Sequence, residues 1–117
     1  MGATEFGKTV IGVYKDAYDA FYNEKQRSQW EHGHKGYTGT IAEKTSFRMI
    51  ECPPRKNPYK FAQDLIVNKD PRIDDKWGPA GCIEIKRSFL KKLKDKHPEL
   101  KGRRNVKAYI FFGWASC

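Results

Sequence analysis

A chain of 117 residues is sized for one domain, 1–117, and its seven Phe, six Tyr and three Trp call for a packed core rather than a disordered chain. No apolar run approaches the ~18 residues of a membrane helix, and the first residues lack the apolar stretch of a signal peptide. Three widely spaced cysteines (Cys52, Cys82, Cys117) fit reduced thiols better than a disulfide framework, so the expectation is a cytoplasmic protein with no membrane partner. The net charge of +9 is gathered in one place: Lys86 to Lys107 holds ten bases and two acids, while residues 1–85 hold 13 bases and 12 acids.

The first predicted element is a helix from about Val13 to His32. Tyr14, Ala17, Tyr18 and Phe21 fall at i, i+3, i+4 and i+7 and form its core stripe, and Gly33 supplies a stop. Gly36 and Gly39 then mark a loop, after which the β-branched Thr40-Ile41 opens a strand. Ser46 to Glu51 continues as strand, with Phe47 and Met49 on one face and Arg48 and Ile50 on the other, until Pro53-Pro54 ends it. Asn57-Pro58 is a helix start, cap followed by first-turn proline, and Tyr59, Ala62, Leu65 and Ile66 form the stripe of a helix that stops near Asn68.

Asp70-Pro71 opens a polar connection through Asp74, Asp75 and Lys76, and Trp77 to Gly81 is a turn. Cys82 to Lys86 alternates as a strand. Ser88 is placed to cap a short basic helix with Phe89, Leu90 and Leu93 along its apolar edge, broken by Pro98 and Gly102. Arg103-Arg104-Asn105 is a turn, and Val106 to Trp114 is so continuously apolar that it predicts a central strand covered on both faces. The fold expected is α+β: a small, mainly antiparallel sheet packed against two helices, with the basic segment 86–107 as an excursion before the last strand.

The catalytic motifs tested are absent or incomplete. Neither a phosphate-binding P-loop nor a G-x-G-x-x-G turn occurs, so no nucleotide cofactor is assigned. His32-x-His34 lacks the spacing and paired cysteines of a zinc motif, and no metal ligand or catalytic residue is assigned. Cys82 reads as a small buried residue and Cys117 as an exposed one. Glu43, Glu84 and the Asp74-Asp75 pair are acids without a visible partner base, and an enzyme would require them to converge with His34.

Charge concentrated in one segment points to an anionic partner, the bland alternative being a solvated loop. The candidate phosphate contacts are Lys86, Arg87, Lys91, Lys92, Lys94, Lys101, Arg103, Arg104 and Lys107, the arginines suited to forked contacts. Tyr37, Trp77 and Trp114 each adjoin or neighbour glycine and are candidates for stacking on unpaired bases or for lining a pocket, the alternative being aromatics that lid the core.

Tyr37 to Ala42 (Y-T-G-T-I-A), Lys76 to Glu84 (K-W-G-P-A-G-C-I-E) and Phe111 to Ser116 (F-F-G-W-A-S) resemble blocks of small uncharacterised proteins of tailed bacteriophages and some prokaryotes. The resemblance covers a minority of the chain, leaves the basic segment outside it and supplies no catalytic residue. It implies a phage or mobile-element setting in a bacterial cytoplasm.

The function expected is therefore a non-enzymatic nucleic-acid-binding protein, with RNA or single strands favoured. The alternative is an anti-defence protein that blocks a host defence protein or sequesters a nucleotide messenger, with a pocket that a homo-oligomer interface could form. A small hydrolase with an unidentified site is the third reading.

Overall fold

The computed structural model describes residues 2–32 and 39–116. Four strands form one sheet in the order β1-β4-β3-β2. They are β1 (Ala3–Val13), β2 (Phe47–Met49), β3 (Ala80–Ile85) and β4 (Val106–Ser116). β4 runs antiparallel to both β1 and β3, and β2 runs parallel to β3, so the fold is α+β with a mostly antiparallel sheet. Three helices cover it: α1 (Ala17–His32), α2 (Pro58–Val67) and α3 (Arg87–Asp95).

The continuous apolarity of β4 has the anticipated cause. Its side chains alternate between two cores, because successive residues of a strand point to opposite faces. Tyr109 and Phe111 join Ala17, Ala20 and Phe21 of α1 in one cluster. Ala108, Ile110 and Phe112 join Ala62 and Ile66 of α2 in the other, against which Phe89, Leu90 and Leu93 of α3 also pack. The helices thus lie on both faces of the sheet, α1 on one and α2 with α3 on the other.

Four expectations are corrected. The chain does not begin with a helix at Val13: residues 3–13 are an edge strand paired with the whole of β4, from Ala3↔Ser116 to Val13↔Val106. β-Branched Thr9, Val10, Ile11 and Val13 suit the strand, and Asp16 fixes where α1 starts. Its Oδ1 accepts the Asp19 N–H at 2.9 Å, while Asp19 Oδ2 accepts the Lys15 N–H at 3.1 Å, so both ends of the first turn are satisfied. The buried stripe of α1 is Ala17, Ala20, Phe21, Glu24 and Ser28, and Tyr18 is 74% exposed rather than core.

Thr40-Ile41 does not begin a strand. Thr40 caps a 3-10 turn at Ile41–Glu43, its Oγ1 accepting the Ala42 N–H at 3.2 Å and the Ser28 hydroxyl at 2.9 Å. Ser88 does not cap α3 either; the cap position is Lys86, whose side chain makes no capping bond. β3 ends at Ile85 and the chain reverses through Arg87 at φ +56°, which starts the helix before Ser88 is reached.

The start of α2 is as anticipated. Asn57 Oδ1 accepts the N–H groups of Tyr59 and Lys60 at 2.9 and 3.3 Å, with Pro58 in the first turn. No helix among the described residues is long and apolar enough to cross a membrane.

Candidate functional site

β3 and α3 position the basic segment. Phe89, Leu90 and Leu93 anchor α3 to the core beneath it, which turns Lys91 and Lys92 outward. Lys86, Arg87, Lys91, Lys92, Lys101, Arg103 and Arg104 are all exposed, and Lys94 is half-buried. Among the described residues no lysine or arginine from Lys86 to Arg104 joins an ion pair; within that stretch only His97 contacts a carboxylate, Glu99 at 3.2 Å. The lysine and arginine charges of the flank therefore stand without an internal counter-charge among the described residues. Lys107 stands apart, because its Nζ donates to the Lys15 carbonyl at 2.8 Å and ties β4 to the start of α1.

The candidate stacking residues are not gathered beside this flank. Trp77 is 63% exposed, with Lys76 Nζ 5.3 Å from its ring centroid, but it precedes β3 whereas Lys86 follows it. The strand between them spans roughly 17 Å. Trp114 lies near the far end of β4 and packs against the α2-side core, its indole Nε1 buried without a hydrogen-bond partner. Tyr37 lies outside the described residues, as do Gly36, His34 and Cys117, and so does the side chain of His32. The one aromatic within the basic segment is Phe89, with Lys92 Nζ 5.8 Å from its centroid.

A cleft of about 490 Å³ opens where β2 and β3 part company. The two strands pair over only three residues, Phe47↔Ala80 to Met49↔Cys82, and the last link is Ile50 N–H to the Cys82 carbonyl at 2.8 Å. Beyond it Pro53-Pro54 carries one chain toward α2, and Ile85-Lys86 carries the other into α3. Ala80 N–H and the Cys82 carbonyl both point toward β2, so by strand alternation the main chain of Glu84 faces the space that β2 has left. Lys56, Lys86 and Arg87 line the cleft together with Ser88, Cys52 and the carboxyl-bearing Glu51 and Glu84. Met49, Pro53, Pro54 and Phe89 supply apolar wall.

Cys52 is not set up as a nucleophile. Its Sγ lies 3.6 and 3.7 Å from the carbonyls of Pro53 and Lys56, which accept its S–H, and burial raises its pKa against the weaker pull of Lys56. Cys82 is more inert still, its thiol fully buried and pushed up to about 12 by that burial and by Glu84. Asp74 and Asp75 do not form an acid–base pair: Asp75 Oδ1 accepts the Trp77 N–H at 2.9 Å and shapes a turn. Among the described residues no three His, Cys, Asp or Glu side chains gather as metal ligands would.

The sequence named Lys86, Arg87, Cys52 and Glu84 separately, yet their convergence with Lys56 and Phe89 escaped it. The only local signal was Pro53-Pro54 after a strand, which shows that the chain leaves the sheet without showing what it leaves open. Comparison with protein families, curated proteins and solved structures finds no match.

Proposed function

We propose that the protein is a non-enzymatic nucleic-acid-binding protein that holds phosphates on the exposed flank from Lys86 to Arg104. The observation that carries this reading is that, among the described residues, no lysine or arginine of that flank is paired with a carboxylate, which leaves a concentrated positive field at the surface. Such a surface gains affinity by releasing counterions and reads no base sequence. With Trp77 and Trp114 at the other end of the sheet, stacking on the flank falls to Phe89 alone, so single strands and duplexes should differ less than the aromatic content suggests. The resemblance of the three sequence blocks to phage proteins supports placing this activity in a bacterial cytoplasm.

The test is a salt titration of labelled RNA and duplex DNA with the wild type and with a Lys91→Ala, Lys92→Ala, Arg103→Ala, Arg104→Ala variant. All four side chains are exposed, so the fold should survive. Each lost phosphate contact lowers the slope of log affinity against log salt by about 0.7 for single strands and about 0.9 for duplex, so the slope should fall by about 3. An unchanged slope, or no binding by the wild type at low salt, would overturn the reading.

A further inference from the structure

We propose that the cleft between the diverging ends of β2 and β3 binds one nucleotide through its phosphate, either free or at the 5′ end of a strand. This goes beyond backbone binding by the flank, because it assigns a bounded site of different shape and lining.

The cleft's volume of about 490 Å³ falls within the ~300–1,000 Å³ of small-molecule sites. Its lining combines basic, acidic and apolar residues. Lys86, Arg87 and Ser88 line the cleft where the chain enters α3, whose cap residue Lys86 makes no side-chain capping bond. Lys56, Lys86, Arg87 and Ser88 in one concavity, set against the carboxyl-bearing Glu51 and Glu84, supply donors that a phosphomonoester accepts from. Met49, Pro53, Pro54 and Phe89 give the lining an apolar part that suits the face of a base. The Glu84 main chain faces the space beyond the last β2 link and presents a donor and an acceptor of a strand edge, which can pair with the polar edge of that base. Phosphate, base face and base edge each have a matching group in the lining, and a nucleotide carries all three.

Cys52 provides the readout. Its rate of alkylation by iodoacetamide, followed by mass spectrometry of the peptide that contains it, should fall in proportion to the unoccupied fraction of the cleft. At a ligand concentration about ten times the Kd the rate should drop about tenfold. Adenosine 5′-monophosphate and a 5′-phosphorylated trinucleotide are the probes, with adenosine, inorganic phosphate and the 5′-hydroxyl trinucleotide as controls. Protection by the monophosphate supports the proposal with a free nucleotide as occupant; protection by the phosphorylated trinucleotide alone supports it with a strand end. Equal protection by any control, or protection by neither probe, would overturn it.

A Lys86→Ala, Arg87→Ala variant should lose the protection while Cys82 stays unreactive, which certifies the fold. The Lys91, Lys92, Arg103, Arg104 variant should keep the protection while losing salt-dependent strand binding. The two proposals therefore fail separately.

Discussion

A Cβ built on Gly81 would lie 2.5 Å from Cζ of Phe112. The two residues face each other across β3 and β4, and the buried Phe112 ring covers the glycine where any side chain would stand. Gly81→Ala must therefore displace a ring packed on all sides, at a cost of about 1–3 kcal/mol. Urea denaturation measures this, and a loss under about 0.5 kcal/mol would show that the ring moves freely.

Phe21 should be the most costly truncation on α1. It is 7% exposed, and its ring sits 5.0 Å from that of Phe47 and 5.5 Å from that of Phe111. Phe21→Ala should cost about 3–5 kcal/mol in chemical denaturation. Tyr18→Ala, which gives up one ring contact with Phe47 from an exposed position, should cost about 1 kcal/mol. Equal losses would contradict the assignment of the buried face.

Lys44 is a buried lysine with three satisfied donors. Its Nζ donates to the carbonyls of Gly78, Asp75 and Lys76 at 2.9, 3.1 and 3.3 Å and so joins the 3-10 turn to the loop before β3. Lys44→Met removes all three bonds and should cost about 2 kcal/mol at neutral pH. Burial also pulls the lysine pKa down from 10.5 to about 8, against the opposing pull of Asp75. Between those two pH values the unfolded chain holds a proton that the folded chain has lost, so the free energy of unfolding rises with pH. The margin of wild type over Lys44→Met should accordingly widen from pH 8 toward 10.5 in denaturation series. A margin that narrows would reverse the sign.

At acid pH Asp70 should matter. Its carboxylate accepts from Arg72 Nε and an Arg72 terminal nitrogen, both at 2.9 Å, and from the Arg72 main chain at 3.0 Å. These bonds hold its pKa at about 2 against 3.8. A depressed carboxylate adds stability that is present above 3.8 and lost as pH falls toward 2. With the pair partly open to solvent, the contribution should be about 1 kcal/mol. The acid-unfolding curves of wild type and Asp70→Asn should converge toward pH 2; parallel curves would remove Asp70 from the acid response.

What the sequence determines on its own is local. Asn57-Pro58 dictates the start of α2, because the cap oxygen and the fixed proline backbone act within one turn. The unbroken apolarity of residues 106–114 announces a strand buried on both faces, because a half-exposed strand would alternate. The concentration of bases from 86 to 107 is a fact of composition that the fold only displays. Local pattern fails where two readings share the same residues. Val13 and Tyr14 fit a helical stripe, yet the hydrogen bonds offered along β4 draw residues 3–13 into the sheet, and Asp16 delays the helix.

Tertiary structure alone decides which groups share a site. Cys52 and Lys86 stand 34 positions apart and meet because β2 and β3 are paired for three residues and then separate. Trp77 and Lys86 stand nine positions apart yet are held at opposite ends of β3, because an extended strand keeps its ends as far from each other as the chain allows. Proximity in sequence settles the helix caps and the strand alternation; strand pairing settles the cleft.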